Sequence, residues 1–391
     1  MKKILIVNKS FALGGIESAM LNMISNLSKE YIIDLCLYYP EGPLKNRISN
    51  NINIIKVNPY IEAMGMSFKE CILRGSFKQK IFRIFGTIWT KLFNNNFPIN
   101  FALKKQKKLK DYDIAIAYHH ETNKKTLNSG FVRFVDYCVE ANKKIAWIHY
   151  DPDMVCFDEK YNDIFYKKMD KIVCVSEVIK NKFIKYHTEL SEKLEVCYNF
   201  LDFERIYKLC GENQKIKYDK KNINLFSACR LTKEKGLPRA IKAVADLLRE
   251  YPELKWYIAG EGQEKNEILK IISDEKLENK VILLGHLDNP YPYIKNADML
   301  MVVSYHEAAP MVYMEAKALN TYIFTTNISS TSEILKDGLD AFICENSGKG
   351  IHNMLKNILK ESERLLQHRD KIVTPCTNEK TIRIIKNIFE N

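Results

Sequence analysis

The stretch M-L-M-V-V-S-Y-H-E-A-A-P-M-V-Y-M-E-A-K-A-L, residues 299 to 319, reads as one strand-loop-helix unit of an α/β sheet. Its opening run, M-L-M-V-V-S, is almost wholly apolar, as expected of a strand buried on both faces in a parallel sheet. A helix-forming run follows. Glu307 therefore falls on the strand-to-helix loop and Glu315 inside the helix. Open α/β sheets bind ligands beyond the carboxyl ends of their strands. A carboxylate at that edge can accept hydrogen bonds from sugar or ribose hydroxyls.

The same alternation runs outward in both directions. N-terminal to this unit, N-I-N-L-F-S-A-C (222 to 229), W-Y-I-A-G and V-I-L-L-G read as strands, and Y-I-F-T-T follows it. An earlier series begins with K-K-I-L-I-V-N and continues through I-I-D-L-C-L-Y-Y, I-A-I-A-Y (114 to 118), K-I-A-W-I-H (144 to 149) and K-I-V-C-V-S (171 to 176). Repeated β-α-β predicts doubly wound sheets. A chain of 391 residues is also too long for one ordinary core. Two α/β domains are expected, residues 1–200 and 201–376, with a linker near N-F-L-D-F-E (199 to 204). A last helix within residues 377–391 is expected to pack back on the first domain.

The composition, 46% apolar and 28% charged, is that of a packed globular protein. Its net charge of +12 favours an anionic partner. Ten cysteines lack any C-x-x-C pair or metal-like spacing, so no metal site is expected. Met1-Lys2-Lys3 runs directly into a strand with no cleavage site behind it, and no apolar run reaches membrane-span length. These features predict a cytoplasmic protein with reduced thiols.

One segment departs from the pattern. Residues 68–110 carry eleven Lys or Arg and a single acid, Glu70, interleaved with Phe77, Ile81, Phe82, Ile84, Phe85, Ile88, Trp89 and Phe93. Such a stretch suits an anionic membrane face, which would make the protein peripheral at the inner membrane. A helix that buries its aromatics on the sheet and solvates its lysines explains the pattern equally well. No nucleic-acid motif accompanies the charge, so nucleic acid is not an expected partner.

Several residues are placed for chemistry. Gly14-Gly15 ends the first strand and opens the first helix, where backbone amides can approach a phosphate, although a glycine turn is often steric only. G-x-G-x-x-G is absent, which counts against a dinucleotide enzyme. Arg230 and Lys235, in C-R-L-T-K-E-K-G-L, stand at a strand's carboxyl end, where a diphosphate could sit between a forked and a point cation. His149 closes the strand K-I-A-W-I-H and can meet a substrate oxygen or simply be a satisfied structural histidine. His119 and His120 are weaker candidates of the same kind. Asp151-Pro-Asp153 reads as a turn before it reads as a metal pair, and Asp111-Tyr-Asp113 precedes its strand, at the wrong edge.

With these residues assembled, the chain resembles the family 4 retaining glycosyltransferases of GT-B fold. The resemblance rests on G-G-I-E-S-A (14 to 19), R-L-T-K-E-K-G (230 to 236), A-G-E-G (259 to 262) and E-A-A-P-M-V-Y-M-E-A (307 to 316), in the family's order along nearly the whole chain. It implies two Rossmann-like domains facing across a cleft. It implies a nucleotide-sugar donor, a UDP-sugar, bound without metal, and transfer with retention to a saccharide acceptor carried on a lipid, in capsule or exopolysaccharide assembly. Arg230 and Lys235 would hold the diphosphate, Glu315 the ribose and Glu307 the donor sugar. Amides around Pro310, Met311 and Val312 would hold sugar or phosphate oxygens. Gly14 and Gly15 would face the diphosphate from the first domain, and His149 would lie near the sugar's 6-position. Two positions depart from the family: Ala308 stands where glycine is usual, and Cys229 replaces the glycine before Arg230. A nucleotide-sugar 2-epimerase of the same architecture, and a glycan- or lipid-binding relative without turnover, are the alternative readings.

Overall fold

The computed structural model describes residues 1–153, 159–212, 218–219, 221–361 and 377–391. It divides into two compact units, residues 1–200 with 378–391, and residues 201–377. The residues between 362 and 376, at the end of the expected second domain, lie outside the described part.

The first unit is built on seven parallel strands: β1 (Lys3–Ser10), β2 (Ile32–Tyr39), β3 (Asn53–Ile55), β4 (Leu109–Ala117), β5 (Val139–Ile148), β6 (Lys171–Cys174) and β7 (Leu194–Val196). They lie in the order β3-β2-β1-β4-β5-β6-β7. The second unit has six: β8 (Ile223–Ala228), β9 (Leu254–Ala259), β10 (Val281–Gly285), β11 (Met299–Val302), β12 (Ile323–Thr326) and β13 (Ala341–Cys344). Their order is β10-β9-β8-β11-β12-β13, again parallel throughout. In each sheet the strand order reverses once, between β1 and β4 and between β8 and β11. At such a reversal the flanking loops part and leave a crevice at the carboxyl edge.

The apolar runs are long because both faces of each sheet are covered. In the second unit, Trp256 and Ile258 join one core and Tyr257 and Ala259 the other. Met299 and Met301 likewise alternate with Leu300 and Val302. Successive strand residues point to opposite faces, so two buried faces require an unbroken apolar strand. The two Rossmann-like sheets fit the fold class expected from the sequence.

The last helix, Glu379–Glu390, belongs to the first unit. Ile385, Ile388 and Phe389 are buried. The Phe389 ring meets Tyr31 edge-on at 5.5 Å, Lys386 pairs with Glu30 at 2.6 Å, and the Lys143 ammonium donates to the Ile388 carbonyl at 3.2 Å.

The basic segment folds into helices Phe68–Arg74, Phe77–Leu92 and Asn96–Lys104. Its central helix is turned opposite to the core-packing alternative. Gln79, Phe82, Arg83, Gly86 and Thr90 face inward, whereas Phe77, Ile81, Ile84, Phe85, Ile88 and Leu92 are exposed. Of the aromatics that could have been core, Phe82 is buried, Trp89 is half-buried and the rest are exposed.

Candidate active site

The loops that follow β8 and β11 meet at the second sheet's switch point. The first, residues 229–236, is clamped by backbone contacts. The Leu231 amide donates to the Glu261 carbonyl at 2.9 Å, and the Glu264 amide donates to the Leu231 carbonyl at 2.9 Å. Two glycines of A-G-E-G make that approach possible: a Cβ on Gly260 would overlap the Cys229 carbonyl oxygen, and one on Gly262 the Leu231 carbonyl oxygen. Gly236 closes the loop in the left-handed region at φ 67°, where a Cβ would overlap the Val303 carbonyl oxygen. Only glycine fits such a position without strain. The β8 loop is thus pressed against the end of β11.

That contact brings Lys235 to Glu307. The ammonium and the carboxylate Oε1 form an ion pair, with the two side chains 16% and 18% exposed. The Ser304 hydroxyl also donates to Glu307 Oε1, at 3.0 Å. Thr326 Oγ1 donates to the Ser304 carbonyl at 2.7 Å, which ties the loop to β12. The Ser330 hydroxyl donates to the Glu307 backbone carbonyl at 3.3 Å. Side chain and backbone of Glu307 are therefore both held.

Arg230 is far more exposed, at 62%, and stands 3.5 Å from Glu234. Burial pushes the Glu234 carboxyl up, but the Thr232 hydroxyl at 2.6 Å, a backbone amide, Arg230 and Lys235 outweigh it and hold the group below the usual carboxylate range. The Glu234 carbonyl accepts from the Tyr305 amide at 2.8 Å, a second tie between the two loops.

Helix Met311–Ala318 starts from Pro310, which is its N-cap. The Met311 and Val312 amides are in the first turn, which has no carbonyl one turn earlier to bond. The helix dipole adds partial positive charge there. Glu315 lies further along the same helix and accepts from the Tyr291 hydroxyl at 3.3 Å. Arg230, Lys235, Glu307, Pro310, Met311, Val312 and Glu315 thus all lie at the carboxyl edge of the second sheet or on the helix leaving it.

Gly14, Gly15 and His149 belong to the first unit, at the carboxyl edge of its sheet. Gly14 caps helix Gly15–Leu27 in an extended conformation. A Cβ there would meet the end of the Glu17 side chain, which would have to shift. No described residue comes within 4 Å of where a Cβ on Gly15 would stand.

His149 follows β5, its ring 4.6 Å from Tyr118. Its Nε2 is buried without a hydrogen-bond partner among the described residues. Burial, and then the neighbouring His119, lower its pKa to about 3. His119 and His120 follow β4, with ring centroids 4.7 Å apart. Burial lowers the former to about 4 and holds the latter well below the usual histidine value. Burial thus favours the neutral form of all three imidazoles at pH 7.

The two aspartate pairs have structural partners. Lys182 donates to Asp151 Oδ2 at 2.7 Å and lies 3.0 Å from Asp153, while the Asp153 amide bonds Asp151 Oδ1 at 3.1 Å. This is a turn neutralised by a lysine. Asp111 and Asp113 lie inside β4 rather than before it, because the strand begins at Leu109, and Asp113 accepts the Lys3 amide at 2.7 Å at the amino end of β1.

Sequence reasoning missed Glu234, Ser304, Ser330 and Tyr291. Glu234 had a signal, as the one acid in the basic run R-L-T-K-E-K-G. The two serines and Tyr291 reach the site through tertiary packing and leave no local pattern.

Two parallel Rossmann-like sheets in tandem are the architecture of a GT-B protein. Residues 212–373, in the second half of the chain, match the family described as glycosyl transferases group 1. An uncharacterized glycosyltransferase of Methanocaldococcus jannaschii is 24% identical over 55% of this chain and 55% of its own. The N-acetylgalactosamine-N,N'-diacetylbacillosaminyl-diphospho-undecaprenol 4-alpha-N-acetylgalactosaminyltransferase of Campylobacter jejuni is 27% identical over 58% of this chain and 61% of its own. The chain thus spans somewhat over half the length of these curated relatives. Among solved structures, Anabaena HepE in complex with UDP and glucose superposes with a TM-score of 0.70 at 15% identity, covering 100% of this chain and 99% of that one. At that identity the likeness is one of fold.

Proposed function

We propose that this protein transfers a sugar from a UDP-sugar to a hydroxyl of a lipid-linked saccharide, with retention of the anomeric configuration and without a metal, in the assembly of a cell-surface glycan. The observation that carries the reading is the meeting of Lys235 and Glu307 between the β8 and β11 loops, beside Arg230 and the Pro310 helix start. Breaking the sugar-phosphate bond separates an anionic diphosphate from an oxocarbenium-like sugar. Fixed cations and first-turn amides placed beforehand lower that barrier, because they need no reorganisation when charge develops. In this reading Lys235 and Arg230 hold the diphosphate. The amides of Met311 and Val312 take its remaining oxygens. Glu315 binds the ribose, and Glu307, steadied by Ser304, faces the sugar. Leaving group and acceptor react on one face through a short-lived ion pair. Gly14, Gly15 and neutral His149, at the carboxyl edge of the first sheet, are the first unit's candidate substrate contacts.

The lipid-linked acceptor draws support from the Campylobacter jejuni relative, whose name specifies a diphospho-undecaprenol acceptor. A UDP-sugar draws support from the bound UDP of the Anabaena neighbour. A panel of UDP- and GDP-sugars, followed by nucleotide release with and without a saccharide acceptor, tests the reading. The expected result is acceptor-dependent release from a UDP-sugar and an anomeric product signal matching the donor. Conversion of the donor sugar without acceptor would identify an epimerase instead. Absence of UDP binding would leave a carbohydrate- or lipid-binding protein.

A further inference from the structure

Helix Phe77–Leu92 is inside out for a soluble protein. Its apolar residues Phe77, Ile81, Ile84, Phe85, Ile88 and Leu92 form one stripe by helical spacing, and each is between 43% and 77% exposed. Its inward face is held by polar contacts. Gln79 completes a capping box with Ser76 and donates to Glu62 at 2.8 Å, and Arg83 donates to the Ala63 carbonyl at 3.1 Å. Gly86 packs so closely that a Cβ would lie 3.0 Å from Leu127. Turning the helix to bury its stripe would break these contacts and drive bulky side chains into the space at Gly86. The exposure is therefore fixed by the fold.

The stripe is also part of a larger surface. Trp89 stacks near Phe93 at 4.7 Å and Phe97 at 4.9 Å, which extends the apolar face onto the next helix. Of the twenty exposed large hydrophobics among the described residues, eleven lie between Phe68 and Phe101. Scattered exposed hydrophobics need no explanation, but a contiguous patch of this kind marks a contact surface.

We propose that this stripe seats the first unit on an anionic lipid bilayer. The charge pattern selects that occupant. By helical spacing Lys78 borders one edge of the stripe and Lys80 and Lys91 the other, as in helices that lie in a bilayer interface. Lys104, Lys105, Lys107 and Lys108 follow the patch. A second copy of this chain would bring the same lysines face to face, with Glu70 the only acid in the segment to offset them. Anionic headgroups satisfy the cations while the acyl boundary takes the rings. This surface belongs to the first unit and the donor loops to the second, so the inference does not rest on the transfer reading, and it supplies what a lipid-linked acceptor would require.

The chain carries its own reporter. Of its three tryptophans, Trp147 and Trp256 are buried and Trp89 is at the patch. The full chain is mixed with vesicles of phosphatidylglycerol and phosphatidylcholine in equal parts, and tryptophan emission and co-sedimentation are followed. The expected result is a blue shift that brominated acyl chains quench, that high salt weakens, and that Trp89→Phe abolishes. Phe85→Glu with Ile88→Glu, both at exposed positions, should lower vesicle affinity about tenfold or more while UDP binding stays unchanged. Lys78, Lys80 and Lys91 changed together to Gln should weaken binding to anionic vesicles and reduce its salt dependence. No binding to vesicles, or binding indifferent to the Phe85/Ile88 pair, would overturn the proposal. So would a dimer in solution that this pair converts to monomer. Vesicle binding with no UDP binding would count against the transfer reading and leave this one standing.

Discussion

The Lys235 ammonium and the Glu307 carboxylate, 72 positions apart in sequence, form an ion pair where the strand order of the second sheet reverses. Neither group can be altered without changing the other's surroundings. Lys235→Ala is expected to lower the transfer rate about a hundredfold or more, the scale seen when one preorganised stabilising group is lost. Glu307→Gln should also slow transfer. The double substitution should cost less than the product of the two single effects, because contacting groups are coupled. Nucleotide release from a UDP-sugar with acceptor measures all three. Near-normal turnover by Lys235→Ala would remove the lysine from the mechanism.

Glu315, one turn inside helix Met311–Ala318, is assigned to the ribose and not to the reacting carbon. Glu315→Gln should therefore weaken UDP binding by about tenfold, the equivalent of one lost charge-assisted hydrogen bond. The rate at saturating donor should change little. Calorimetric titration with UDP, set beside kcat, checks this. A collapse of kcat with unchanged UDP affinity would place Glu315 at the chemistry instead.

Two glycines should respond in opposite ways. Gly260, at φ 148° and against the Cys229 carbonyl, cannot accept a Cβ. Gly260→Ala should destabilise the second unit by about 1–3 kcal/mol and disturb Arg230 and Lys235 with it. Among the described residues Gly15 has room for a Cβ, and alanine is the better helix former. Gly15→Ala should leave thermal stability equal or higher, yet raise the donor KM if its backbone approaches the diphosphate. Thermal melts and donor kinetics separate the two cases. An unchanged KM would reduce Gly15 to a helix start.

The neutral histidines make stability depend on pH. His149 and His119 have folded pKa values of about 3 and about 4, below the ordinary value of 6.5. Between those values and 6.5 the unfolded chain binds more protons, so stability rises with pH across that window and is lost as pH falls below 6.5. Urea unfolding at pH 7.5 and pH 5 should show a loss on the order of 1 kcal/mol or more. His149→Gln should shrink that difference. Equal loss in both proteins would show that His149 does not titrate on unfolding.

Much of this architecture is legible in the sequence because its strands are buried on both faces. An unbroken apolar run such as Met299 to Val302 needs no tertiary knowledge to recognise. The strands that went unread are β3, β7 and β13, with three, three and four residues. All three lie at sheet edges, where half the pairing is absent and the apolar signal is too short to stand out. At the site, Arg230, Lys235, Glu307 and Glu315 stand out as charges at strand ends. Their pairing does not, because the Lys235–Glu307 contact depends on how Gly236 lets one loop press on the end of another strand. The basic segment shows the limit most clearly. Its composition fits a core helix and an interfacial helix equally, and only the burial of Gln79 and Arg83 reveals which way the helix is turned.

The return of helix Glu379–Glu390 to the first unit has a consequence for how the chain is made. The ribosome delivers residues 1–200 first, but the groups that cover Tyr31 and bind Lys143 emerge only after the whole second unit has been synthesised. The second unit is contiguous, so it can close while the first still waits for its final helix. A shortened chain that ends at residue 377 would keep the Lys235–Glu307 loops intact and expose the site of Ile385, Ile388 and Phe389 on the other unit. Synthesis order and assembly order are thus reversed, and a helix made after the second unit is the one that finishes the domain begun before it.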